Sequence, residues 1–452
     1  MDPASSKADH LVVVIHGLWG NPSHVEFLAK SLRDAYSDQI HVLVAKSSAN
    51  SYTYDGIETG GERITNEVEA EIKKLEDTGT SIRKFSMIGY SMGGLVARYA
   101  IGLLYSAGLF DRIEPTNFTT FATPHLGVRA PLTGTASRVW NVLGARTLST
   151  SGQQMFLIDD FRSTGRPLLS LMADSNSIFI RALASFKHRT LYANIINDRS
   201  VVYYSASISS TDPFVDLSKV QLHHLQNTES VILDPDYPVS HKQPIPLPLL
   251  DRVRSTAMTT VTSIPWAFFV TFILPFGAVI FLTSAGIQTI RSAQRRKLHD
   301  SGKAGVEVEK YRSSPFIMDE LRSVADRVYN AAANTVPGGE EYLPTPLPEE
   351  AERQGLLSGK GDESAETLVG TEREDKGNPS TTGSDERFPT LALTKEQFDM
   401  IENLNKVGFE KFRVHITQVR HSHAAIVVRT PWRPGFGEGR TVVKHWVSQF
   451  VV

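Results

Sequence analysis

The residues Gly89-Tyr90-Ser91-Met92-Gly93 have the types and spacing to make a serine hydroxyl into a nucleophile. A short apolar run, Phe85 to Ile88, leads into them. A helix-like segment follows, with Leu95, Val96, Ala100, Leu103 and Leu104 on one face. The order is strand, tight turn, helix. Gly89 and Gly93 leave room for a turn whose central residue is held in a strained conformation, so Ser91 stands at the top of a sheet with its hydroxyl exposed. The helix starting at Met92 aims its unpaired N–H groups at the same point, where negative charge would collect on an attacked carbonyl oxygen. The chemistry this suits is acyl transfer.

Acyl transfer needs oxyanion donors, an acid and a base. Leu11-Val12-Val13-Val14-Ile15 reads as a central strand buried on both faces, and it runs straight into His16-Gly17-Leu18-Trp19-Gly20. A loop after such a strand supplies one oxyanion amide and the residue after the nucleophile supplies the other, here Leu18 and Met92. His16 is expected to order that loop rather than to catalyse. Downstream, the buried-strand run Leu191 to Ile196 ends in Asn197-Asp198-Arg199. Asp198 is thus the candidate acid, with Asp212 its substitute. Far along the chain the loop His421-Ser422-His423 offers two imidazoles. No metal or cofactor is called for.

The elements that must position these groups alternate. Asn21 or Ser23 can cap a helix reaching to about Tyr36, and His41 to Ala45 supplies a strand. Gly61 to Leu75 reads as an amphipathic helix whose charges form a solvated surface, and Phe118 to Ala122 as another strand. Such alternation specifies a parallel doubly wound sheet with helices on both faces, over residues 11–250. The stretch from Thr123 to about Arg189 has a mixed pattern. Residues 133–172 in it suit either a lid over the site or extra core helices.

Residues 255–290 carry no charge, and Ile264 to Ile287 is densely apolar, longer than the ~20 residues that cross a bilayer. Arg252 and Arg254 stand on one flank; Arg291, Arg295, Arg296 and Lys297 stand on the other. Residues 298–390 read as a mostly disordered acidic insertion, and residues 1–10 as a disordered start. Order returns at Leu391, with a capping box at Thr394-Lys395-Glu396-Gln397. Phe412 to Ile416 alternates like a strand, so residues 391–452 return to the first sheet with the histidine loop. With 47 Lys and Arg against 49 Asp and Glu, and no basic cluster interleaved with aromatics, nothing suggests a nucleic-acid partner. The absence of cysteine excludes disulfides and thiolate sites.

Val14-Ile15-His16-Gly17-Leu18-Trp19-Gly20, Gly89 to Tyr99, Phe121-Ala122-Thr123-Pro124-His125-Leu126-Gly127, Asn197-Asp198-Arg199 and His421 to Val427 together resemble the DUF676 family of serine esterases. Many members have His where this chain has Tyr90 and Leu where it has Met92. The resemblance implies an α/β-hydrolase fold, hydrolysis of lipid esters at a membrane or lipid-droplet surface, Ser91 as nucleophile, His423 as base and Asp198 as acid. A catalytically silent hydrolase-fold adaptor and an acyl-thioesterase are the alternatives.

Ser91 and Asp198 precede the apolar run while His423 follows it. A single crossing would therefore put the base on the other side of a membrane. Pro275-Phe276-Gly277 near its middle could break the run into two arms of about 11 residues, each ~16 Å as helix against a ~30 Å hydrocarbon core. The expectation is a hairpin rather than a spanning helix, on lipid droplets or the endoplasmic reticulum, with the catalytic domain facing the cytosol.

Overall fold

In the computed structural model, residues 8–129, 149–242, 274–313, 316 and 388–452 are described. Six strands form one sheet: β1 (His10–Ile15), β2 (Ile40–Val44), β3 (Lys84–Tyr90), β4 (Glu114–Phe121), β5 (His188–Asn194) and β8 (Glu410–Val414). Their order is β2-β1-β3-β4-β5-β8, every neighbouring pair parallel. A two-stranded antiparallel ribbon, β6 (Val220–Leu222) with β7 (Val239–His241), stands apart.

Alternation along β1 sends Leu11, Val13 and Ile15 into one core and Val12 and Val14 into the other, all essentially buried. The first core lies beneath α2 (Ile57–Asp77) and α3 (Met92–Ser106); the second lies beneath α1 (Glu26–Tyr36) and the last helix (Gly437–Gln449). Chain order reverses between β1 and β3, because β2 lies outside β1 while β3 to β8 continue the other way. In open parallel sheets the crevice for a ligand opens at that reversal, beyond the carboxyl ends of the strands. Gly17-Leu18 and Ser91 sit there.

Most elements fall where the pattern put them, with bounds shifted by a few residues. Asn21 does the capping, of a short 3₁₀ turn Pro22–His24 that precedes α1. The capping box at Thr394 and Gln397 forms in full and opens Lys395–Lys406. His10, assigned to a disordered start, is already in β1.

Two expectations need correction, and one open alternative narrows. The charges of the helix after Gly61 are not a solvated surface: Glu62 is fully buried and Arg63 nearly so. Their partners come from distant sequence. His299 Nε2 lies 2.7 Å from Glu62 Oε2, Arg312 Nε donates to Glu62 Oε1 at 2.8 Å, and Arg63 Nη1 donates to buried Asp55 at 2.9 Å. The same contacts revise the insertion: Leu274–Asp300 is a helix whose far end packs on the domain, and Val308–Arg312 and Phe316 continue along it. Phe316 stacks on Phe179 with ring centroids 5.6 Å apart. As for the stretch that suited a lid or core helices, Met155, Phe156, Leu168, Leu169 and Met172 are buried, so residues 149–172 complete the core; 130–148 lie outside the described residues.

The first half of the apolar run, 243–273, and the acidic residues 317–387 also lie outside the described residues. Among the described residues no helix is long and apolar enough to cross a membrane. The described part of the helix begins at Leu274, so whether the run is broken at Pro275-Phe276-Gly277 falls at the edge of the described residues.

Candidate active site

Ser91 joins β3 to α3 with φ 56° and ψ −133°, a conformation that costs a non-glycine residue energy. Two contacts impose it. Ser91 N donates to Phe121 O at 2.8 Å, and Gly94 N to Ser91 O at 3.0 Å. The flanking glycines are required by space: a Cβ on Gly89 would lie 2.3 Å from Gly94 Cα, and one on Gly93 would lie 2.4 Å from His16 O. The strand, the turn and the loop after β1 are therefore packed backbone to backbone.

His423 comes to this serine from a four-residue helix, Ser422–Ala425, beyond β8. Its Nε2 is 3.0 Å from Ser91 Oγ and its Nδ1 is 2.9 Å from Asp198 Oδ2. An ionised carboxylate only accepts, so Nδ1 carries the proton and Nε2 is left to accept the serine O–H. Asp198 also accepts from Asn194 Nδ2 and from the amides of Ser200 and Val201, each at 2.9 Å. Burial alone would raise its carboxyl; the His423 ring and these hydrogen bonds outweigh that and hold it below the usual carboxylate range. Asp198 is thus kept charged where its charge orients the imidazole.

Gly17 lies against the serine, since a Cβ there would come 2.6 Å from Ser91 Cβ and 3.1 Å from Oγ. That sets the loop carrying Leu18 beside Ser91, while Met92, as the first residue of α3, has an N–H without an intrahelical acceptor. His16 is buried, its Nδ1 is 3.1 Å from Gly17 O, and burial lowers its pKa. It orders the loop as a neutral ring.

The two alternatives stand outside this arrangement. His421 is exposed and caps the short helix through its backbone carbonyl, which accepts from the Ala424 and Ala425 amides. Asp212 accepts from Phe214 N in a turn of its own, its carboxyl pushed up to about 6 by burial. Sequence reasoning missed Asn194, whose amide steadies Asp198, and it assigned Tyr90 no role. The Tyr90 hydroxyl donates to His423 O at 2.8 Å. Asn194 closes a strand four residues before the acid, a spacing that could have flagged it.

Residues 5–211 match the family model described as "Putative serine esterase (DUF676)". This part of the chain is similar to the DUF676 family. The match takes in Ser91 and Asp198 and ends well before His423, so the imidazole joins the DUF676 region through folding alone. Among curated relatives, "Putative lipase ROG1" of Saccharomyces cerevisiae is 35% identical over 213 residues, 46% of this chain and 29% of that protein. "Putative lipase C4A8.10" of Schizosaccharomyces pombe is 29% identical over 240 residues, 49% of this chain and 29% of that one. The chain therefore spans about three-tenths of the length of these relatives. Of solved structures, phospholipase PlaB from Legionella pneumophila aligns with a TM-score of 0.27 at 13% identity, over 53% of this chain and 51% of that one. That likeness is too weak to bear on activity.

Proposed function

We propose that the protein hydrolyses fatty-acyl ester bonds of membrane or storage lipids through an acyl-enzyme on Ser91. The observation that carries this reading is the continuous line of hydrogen bonds from Ser91 Oγ through the His423 ring to Asp198, set on a strained turn at the sheet's reversal point. His423 Nε2 takes the proton as Ser91 Oγ attacks the ester carbonyl, and the Leu18 and Met92 amides receive the oxyanion. The alcohol leaves with the proton returned from Nε2. Water then repeats the sequence on the acyl-enzyme, and the fatty acid departs. Asp198 fixes the tautomer throughout.

A lipid ester as substrate is supported by the lipase names of the relatives and by the long apolar run in this chain. Residues on both sides of that run pack on one domain: before it Val239, which joins the main core, and after it Arg295, His299 and Phe316. A segment that enters and leaves by the same face suits a shallow anchor, including one in the phospholipid monolayer of a lipid droplet.

A fluorophosphonate probe tests the nucleophile. Labelling lost in Ser91→Ala, with hydrolysis of at least one lipid class by the purified protein, is the expected result. An unlabelled protein inactive on phospholipids, acylglycerols and thioesters would instead favour a silent membrane adaptor.

A further inference from the structure

The loop that carries Leu18 is not held by the sheet alone. Trp19, at φ 55°, donates its backbone N–H to Thr53 Oγ1 at 3.1 Å and its indole N–H to the Tyr54 hydroxyl at 2.7 Å. Asn50 N donates to Gly20 O at 2.7 Å. All three partners lie in the 3₁₀ segment Asn50–Tyr54, so this segment is the backing of the oxyanion loop.

Its opposite side is gripped by a helix from beyond the apolar run. From Leu274–Asp300, Arg295 Nε lies 3.0 and 3.1 Å from the two oxygens of Asp55, Nη2 donates to Asp55 Oδ1 at 2.7 Å, and the same Nη2 donates to Ser51 O at 2.7 Å. Ser292 Oγ donates to Tyr54 O at 3.3 Å. The guanidinium also lies 5.2 Å from the centre of the Tyr52 ring, and Arg63 lies 4.9 Å from the same centre. Asp55 is fully buried. One fork thus holds a side chain and a backbone carbonyl of Asn50–Asp55 at once, a geometry that suits guanidinium and not ammonium.

We infer that Arg295 is a positioning residue for the oxyanion loop: it fixes Asn50–Tyr54 from behind, and through Trp19 and Gly20 it sets the direction of the Leu18 N–H. The inference rests on the esterase reading for its kinetic consequence and on hydrogen bonds alone for its structural one. Asp55 keeps its bond from Arg63 Nη1 when Arg295 is removed, so no uncompensated charge is buried and the domain is expected to fold.

The test uses the full chain in detergent micelles, comparing wild type, Arg295→Ala and Arg295→Lys on a soluble ester. Misaiming one oxyanion donor predicts a kcat lower by about 10- to 100-fold in Arg295→Ala, with KM changed less than about threefold. Affinity for a trifluoromethyl ketone, whose adduct places an oxyanion in the same hole, should fall by a similar factor. Arg295→Lys keeps the charge beside Asp55 and should recover part of the loss; it also serves as the folded variant if Arg295→Ala does not fold. Amide hydrogen exchange at residues 18–20 and 50–55 should quicken in both variants.

An unchanged kcat in a folded variant overturns the inference, as does a lower kcat with undiminished ketone affinity. Unchanged exchange at 18–20 overturns it whatever the activity. Loss of the esterase reading shows differently, as a wild type without Ser91-dependent turnover.

Discussion

The Tyr90 hydroxyl donates a hydrogen bond to the backbone carbonyl of His423 at 2.8 Å, joining the residue before Ser91 to the imidazole that faces it, across 333 positions of chain. The two rings also lie face to face at an angle, centroids 5.1 Å apart. Burial raises the phenol's pKa, so it remains a donor at any working pH. Tyr90 therefore sets where the imidazole stands, while Asp198 sets how it turns. Tyr90→Phe keeps the ring and removes the bond. It should lower kcat about tenfold, equivalent to ~1.4 kcal/mol, with a KM close to wild type. Steady-state kinetics on a soluble ester would show this, and an unaltered kcat would mean that packing alone positions the base.

His423 and His421 are two residues apart yet do different work. One contributes its ring to the serine, the other its carbonyl to a helix start. His423→Ala should lose on the order of 10³-fold or more in turnover, whereas His421→Ala should retain nearly all of it. Similar losses in both variants would contradict the assignment.

Much of this site was legible in the sequence because its determinants are local. Gly89 and Gly93 are demanded by backbone contacts within the turn and with the adjoining β1 loop, and Asp198 follows directly on a buried strand. The apolar alternation of β1 likewise named its own burial. What could not be read is pairing between distant segments. Glu62 and Arg63 look like any solvated helix charges, because nothing nearby reveals His299, Arg312 or Asp55 waiting in the fold. Tyr90 falls in the same class: its partner is a carbonyl, which leaves no mark in a sequence.

That buried network makes a prediction about stability. Glu62→Ala removes the buried carboxylate shared by His299 and Arg312. Breaking a buried pair in this way typically costs ~3–5 kcal/mol. Denaturant unfolding should show a loss of that order, and one below ~1 kcal/mol would mean that water replaces the carboxylate.

His10 is fully buried, with Nε2 2.8 Å from Ser86 Oγ. Burial, with a smaller push from Lys84, lowers its pKa from 6.5 to about 4, against opposing pulls from Asp9 and Glu114. The folded state thus holds a neutral ring while the unfolded chain takes up a proton below pH 6.5. The associated stability is present above pH 6.5 and is lost as pH falls towards about 4. At ~1.4 kcal/mol per pH unit that interval is worth roughly 3 kcal/mol. Unfolding free energies measured at pH 7, 5.5 and 4 should decline in wild type and decline less in His10→Asn. Parallel curves would assign the acid sensitivity to other groups.

The final prediction concerns how the chain meets a lipid surface. Ser91 and His423 are 3.0 Å apart, and Arg295 and His299 dock on the domain that holds both. If the apolar run enters a lipid layer, both of its ends are therefore expected on the side of the domain that holds Ser91 and His423. A helix that crossed once would tear His423 from Ser91 or Arg295 from Asp55. Basic residues on both flanks, Arg252 and Arg254 before and Arg291 to Lys297 after, agree with two ends on the cytosolic side. On sealed microsomes, tags at the N-terminus and after Val452 should both be digested by protease added from outside. Protection of either tag would place a membrane between the two halves of the triad and would refute this topology together with the assignment of His423.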